Sequence, residues 1–296
     1  MSSTCKCEAD LISGGESHAP VVPPEDKSMS EKARARFTRE GRGTGEGADY
    51  VAGLKLRELR GVGRMHRFSS SRCGGRQIAL PSDMALATFL EEHWDPETCE
   101  LLELFPLLDV DETMRIARSI GVKHPTFKDR SPRILLTDLL VCKRMLNGYT
   151  WSAVHTVSAS AGNAEASPTY LIEKEFWRRA GVASRISYTR GMNSPRVRNL
   201  WLLFGYSEQV VACGITGRER AAQEAVIRRL RTRRDARLRD ACAAAACASK
   251  LTCAECVRAV LQLIATRAIE CCLDVPLLLT QQVDSIRFAD ETTERR

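Results

Sequence analysis

Asp138 lies in the middle of the otherwise apolar run Arg-Ile-Leu-Leu-Thr-Asp-Leu-Leu-Val (133–141). A carboxylate is costly to bury, so one in such a run takes an ionic partner, a metal or a catalytic task. The other reading leaves it on the solvent face of a half-exposed strand. A second apolar, β-branched run, Ser-Ala-Val-His-Thr-Val (152–157), follows a ten-residue break and carries His155. Pro132 bounds the first run and Asn147-Gly148 falls in the break, a pattern that predicts two buried antiparallel strands.

Other groupings offer different chemistry. Between 33 and 76 Arg and Gly are interleaved, and Arg42, Arg64, His66 and Arg67 are candidates for contact with a phosphate backbone. Alternating Gly41, Gly43, Gly45 and Gly47 do not follow a strand with dinucleotide-fingerprint spacing, which excludes a nucleotide cradle there. Nine arginines lie in or beside Glu219–Asp240. They read either as a solvated helix face or as a surface for DNA, with Arg228, Arg231 and Arg234 the leading candidates. Cys242, Cys247, Cys253 and Cys256 could be read as a zinc set. Cys253 and Cys256 fall inside an expected helix, however, and the Ala-rich setting favours small apolar filler; Cys5 and Cys7 lack further nearby ligands.

The elements that must position these groups follow from periodicity and punctuation. Pro81, then Ser82 or Asp83 at the cap, open a helix to about His93. A strand is expected over 99–108, a short helix from Asp111 to Ile120 stopped by Gly121, a helix from Tyr170 to Ala180 opened by Pro168, and a strand over Arg185–Tyr188. Composition shifts near Asn199. Thr252 caps a helix through Ile264, and Ala268–Leu273 is β-like, the parts of a small winged-helix-like unit. The expected domains are a disordered leader (1–32), an α/β domain (33–198), a helical C-terminal domain (199–288) and a tail (289–296).

A length of 296 residues and 44% hydrophobic content suffice for real cores, and a net charge of +7 favours a polyanionic partner. No run reaches the roughly 18 apolar residues of a membrane span, and the N-terminus lacks a signal-peptide core, so the expected setting is the cytoplasm, without membrane contact.

The order of several motifs then resembles one family. These are Arg-Glu-Gly-Arg-Gly-x-Gly-x-Gly-Ala-Asp-Tyr (39–50), Gly-Arg-Met-His-Arg (63–67), Phe-Pro-Leu-Leu (105–108), Glu-Thr-x-x-Ile-Ala (112–117), Gly-Val-Lys-His-Pro (121–125), Thr-Asp-Leu-Leu (137–140) and Glu-Lys-Glu-Phe-Trp (173–177). Together they are similar to TnsA, the endonuclease subunit of heteromeric cut-and-paste transposases. Leu273-Asp274-x-Pro276 extends the likeness weakly into the C-terminal region. The resemblance implies a restriction-endonuclease-like N-terminal domain, Mg²⁺-dependent cutting of the five-prime strands at transposon ends, a DDE-type transposase partner for the other strands, and an AAA+ ATPase docking on the C-terminal domain.

Carried over residue by residue, the resemblance leaves one chemical group intact. The metal-binding Asp falls on Asp138. The helix Glu of the family falls on Ala85, and its Gln-x-Lys falls on His155 and Val157. One carboxylate with an imidazole is a poor Mg²⁺ set, and Val157 brings no charge to the phosphodiester. Losing one preorganised electrostatic group commonly costs about 3–4 kcal/mol of barrier. The expectation is therefore a subunit that binds DNA ends and bridges transposase and ATPase with a decayed hydrolytic site. Two alternatives stay open: a nuclease in which Asp138 recruits Glu92 or His155, and a zinc-stabilised DNA-binding regulator.

Overall fold

The computed structural model describes residues 27–59 and 63–289. Its first elements are helix α1 (Met29–Arg39), strands β1 (His66–Ser69) and β2 (Gln77–Leu80), helix α2 (Asp83–Trp94), strand β3 (Thr98–Leu107) and helix α3 (Val110–Ser119). Then come β4 (Leu135–Met145), β5 (Gly148–Ser158), α4 (Pro168–Arg179) and β6 (Ala183–Thr189). The C-terminal part holds α5 (Pro195–Cys213), α6 (Gly217–Thr232), α7 (Leu238–Cys247) and α8 (Cys253–Ala265), with the two-residue strands β7 (Ile269–Glu270) and β8 (Arg287–Phe288).

The expected strand pair is the centre of a four-stranded sheet in the order β3-β4-β5-β6. β3/β4 and β4/β5 are antiparallel, while β6 joins β5 in parallel because α4 makes the crossover between them. β4 and β5 run further than their apolar runs, closing on the Met145–Gly148 pair around a two-residue turn. Pro106 is accommodated on β3 because β3 is an edge strand.

Alternation along the strands feeds two cores. On one face Leu101, Leu139, Val141 and Val154 meet Leu86, Phe89 and Leu90 of α2, and the same apolar cluster continues through Leu200 and Leu203 of α5 to Val260 and Ile264 of α8. On the other, Leu102, Leu140 and Ala153 meet Ile116 of α3 and Ile172 and Trp177 of α4. Helix starts follow their caps: the Ser82 hydroxyl accepts the Ala85 N–H, and Thr252 with Glu255 forms a capping box on α8.

The expected leader lies largely outside the described residues; α1, opened by a Ser28–Glu31 capping box, begins before its end at 32. The Gly-rich arm is a built turn packed on β3. At Gly45 (φ +83°) an added Cβ would lie 2.3 Å from the Asp49 carbonyl oxygen, and at Gly43 (φ +78°) 2.6 Å from the Pro106 ring.

Arg42 was expected at the phosphate backbone and is instead fully buried. It donates to the Gly53 carbonyl at 2.8 Å, pairs with Glu40 at 2.7 Å and Glu58 at 2.6 Å, and stacks over Phe37. With its donors taken inside the fold, it is a structural cation. Arg42→Ala, which strands two carboxylates, is expected to lower unfolding free energy by about 3–5 kcal/mol in urea titration. Arg64→Ala, at an exposed position, is expected to change it by less than about 0.5 kcal/mol.

Candidate active site

Asp138 lies one residue before the Leu139–Val154 pair at which the β4–β5 ladder ends, near His155. His155 faces Tyr170 and Glu173 of α4. The Asp138 Oδ2 atom accepts the backbone N–H of Thr156 at 2.7 Å and lies 3.4 Å from His155 Nδ1. The same nitrogen lies 3.9 Å from Oε2 of Glu173 from α4. Both carboxylates therefore approach one imidazole nitrogen, with Tyr170 at 5.4 Å between ring centroids.

Helix α4 is held against the sheet by Ile172 and by Trp177, whose indole N–H donates to the Thr137 hydroxyl at 2.8 Å. Glu173, one turn before Trp177, shares that buried stripe and is only 3% exposed. The sequence reading had passed over it within the Glu-Lys-Glu-Phe-Trp motif. A carboxylate at helical spacing from Phe176 and Trp177 was the signal that could have found it.

Burial pushes the Glu173 carboxyl well above the ordinary range, the Asp138 charge adds to this, and the Thr137 hydroxyl opposes it. Burial also raises Asp138, against the pull of His155 and the Thr156 N–H. Asp138 keeps 30% of its side chain accessible, so it sits at the mouth of the cleft with Glu173 behind it. Glu173 Oε1 and His155 Nδ1 make no hydrogen bond among the described residues. The cavity they share with Thr137, Tyr170 and Ser184 is about 10 Å³, room for about one water.

The other expected participants lie elsewhere. Ala85 packs on the opposite apolar cluster, with α2. Val157 follows His155 by two and offers methyl groups on the same strand face. Glu92, one of the acids considered for recruitment, is committed to Arg185 and, at 3.1 Å, to Lys143. Lys143 is five residues from Asp138 along β4, roughly 17 Å, so Glu92 is drawn away from Asp138; Glu173 is the acid brought near it.

Mg²⁺ takes six ligands near 2.1 Å and usually retains several waters. Here an imidazole nitrogen stands within 4 Å of both acids, a poor donor for that ion. Among the described residues no three His, Cys, Asp or Glu side chains are placed to hold one metal ion. Two acids and an imidazole make a poor set for the ion. The cysteines are also dispersed in character: Cys242 and Cys256 are buried while Cys247 and Cys253 are exposed. Burial pushes the Cys242 thiol to about 12 and Cys256 upward, away from the thiolate that zinc requires.

Among the candidate phosphate contacts, His66 Nε2 is engaged by Asp83 Oδ1 at 2.6 Å and is half-buried, whereas Arg64 and Arg67 are exposed. Arg228 is exposed on α6, opposite the buried Ala222, Val226 and Leu230. Arg231 and Arg234 are exposed at the end of α6, with guanidinium carbons 5.0 and 5.9 Å from the Phe288 ring.

A mixed sheet covered on both faces, with acids and an imidazole at one end of its central strands, fits a restriction-endonuclease-like fold. No family model matches the sequence. Over 190 residues the chain is 34% identical to the Tn7 transposition protein TnsA of Escherichia coli, a match covering 63% of this chain and 68% of that protein. The chain belongs to the TnsA family.

The raised carboxyls set a pH dependence. A group whose folded-state pKa lies above its unfolded value contributes stability that is present in full below the unfolded pKa and is lost as pH rises through the folded one. Glu173→Gln fixes the neutral form. The difference in melting midpoint between variant and wild type is expected to move in the variant's favour from about pH 4 to about pH 8; a difference independent of pH would contradict the assignment.

Proposed function

We propose that this chain is a TnsA-type transposition subunit that binds transposon-end DNA and bridges a DDE-type transposase and an AAA+ ATPase, without cutting DNA itself. The observation that carries this reading is the His155 imidazole, a poor Mg²⁺ donor, beside Asp138 and Glu173 where the family has its amide and metal-binding carboxylate. Val157 next to it leaves the phosphodiester with no cation from β5. A missing electrostatic group of this kind slows cleavage about 10²–10³-fold, and the acid of α2 is missing as well.

DNA contact rests on Arg64 and Arg67 beside β1 and on Arg228, Arg231 and Arg234 at α6. Binding by such groups is sequence-tolerant and salt-sensitive. In this reading the chain divides into a restriction-endonuclease-like part to 198 and a C-terminal part, 199–288, that serves as the ATPase platform. The antiparallel β7/β8 pair beside α6–α8 supports a winged-helix-like build for the latter.

The Asp138–Glu173 pairing favours one rival, a nuclease that retains cleavage with Glu173 as its second acid. A strand-nicking assay with partner subunits and Mg²⁺ separates the two. The expected result is no nicking at five-prime strands attributable to this chain, and no change on Asp138→Asn. Nicking that Asp138→Asn abolishes would establish the rival. Arg67→Ala and Arg228→Ala are each expected to weaken DNA binding on all sequences and to reduce the slope of log affinity against log salt by about 1, read by fluorescence anisotropy.

A further inference from the structure

At the other end of the sheet, where α2 meets α5 and the end of α8, lies a cavity of about 200 Å³. Its walls include Leu200, Phe204 and Trp94, and two arginines, Arg72 and Arg267, enter it from different parts of the chain. Arg72 is anchored by Nη1, which donates to the carbonyls of Asp95 at 2.6 Å and Thr98 at 2.8 Å. Arg267 lies over the Trp94 ring, its guanidinium carbon 4.5 Å from the centroid. Neither has a carboxylate within ion-pair distance among the described residues.

Two of the nearby acids are engaged elsewhere. The Asp95 carboxylate pairs with Lys143 at 2.8 Å. Glu208 accepts the Ser71 N–H at 2.7 Å and the Ser71 hydroxyl at 2.9 Å. His93, 7% exposed, lines the same cavity. Its Nε2 has no hydrogen-bond partner among the described residues, the Glu208 Oε1 atom standing 3.6 Å away. Burial makes both guanidinium groups easier to deprotonate, and the Arg72 charge adds to that effect on Arg267, while the more distant Asp95, Glu208 and Glu270 oppose it.

The backbone points the same way. Arg267 follows the C-cap of α8 with φ +61°, the left-handed position that glycine ordinarily occupies at a helix end. A long cationic side chain there is strained, and its guanidinium reaches the cavity.

We propose that this cavity binds a phosphomonoester dianion. Arg72 and Arg267 would hold its oxygens, and Trp94 and Phe204 would receive the apolar part of the ligand. Two planar guanidinium groups match the geometry and charge of a terminal phosphate. The site is separate from Asp138: Thr98, whose carbonyl anchors Arg72, pairs with Lys143, five residues along β4. It does not depend on whether the chain cuts DNA. The phosphate could be that of a free nucleotide or the end of a DNA strand.

The full chain would be titrated with inorganic phosphate, adenosine 5′-monophosphate, and one oligonucleotide bearing either a 5′-phosphate or a 5′-hydroxyl, read by calorimetry and tryptophan fluorescence. Saturable phosphate binding with Kd of about 1 mM or tighter is expected. Arg267→Gly should weaken it at least tenfold while the protein stays folded, because glycine suits the positive φ; Arg72→Gln should weaken it independently. A 5′-phosphate preference that Arg267→Gly removes assigns the DNA end, whereas binding of the free phosphates without that preference assigns a nucleotide. No saturable binding of any probe, or binding undiminished in both variants, overturns the proposal.

Discussion

Two acids on neighbouring elements, both within 4 Å of one imidazole nitrogen, form the constraint on which the site depends. Asp138 from β4 and Glu173 from α4 both have raised pKa values, and the Asp138 charge contributes to that of Glu173. Such a pair must share protons, hold a metal or hold another cation. His155, on the adjacent strand, brings an imidazole nitrogen to 3.4 Å of one and 3.9 Å of the other. That contact links the β4–β5 register, the seating of α4 through Trp177 and the small volume of the cleft.

The sheet keeps two electrostatic regions apart. At one end of β4 the acids and imidazole lie beside α4; towards the other, Lys143 gathers Glu92 and Asp95, while Arg185, opposite Val154, reaches Glu92 from beside His155. Beside this network is the cavity with Arg72 and Arg267, two of whose neighbouring carboxylates are engaged elsewhere. The apolar cluster running through α2, α5 and α8 joins the two parts of the chain across it.

The centre of this arrangement was legible because burial leaves a compositional record. The runs around Asp138 and His155 are β-branched and apolar, and they became β4 and β5. Their extension to the Met145–Gly148 turn was not legible, since Lys143, Arg144 and Tyr149 emerge from the core and lose its pattern. Pro168 and Gly181 marked α4 within a residue or two. Arg42 was misread because a sequence shows an arginine among glycines but not Glu40 and Glu58 folding back to enclose it. Glu92 was considered for the site on helical geometry alone; the ion pairs that draw it toward Lys143 come from distant strands. Glu173 had a local signal, a carboxylate within an aromatic stripe, yet its nearness to Asp138 depends on the β5–α4–β6 crossover.

The most direct test of the central claim, that His155 stands in place of a metal, is titration of the purified full-length chain with Mn²⁺ as a spectroscopic substitute for Mg²⁺, followed by electron paramagnetic resonance. The account predicts no saturable site with a Kd of about 1 mM or tighter, and identical titrations for wild type and Asp138→Asn. A stoichiometric Mn²⁺ site in the wild type that disappears on Asp138→Asn would contradict it.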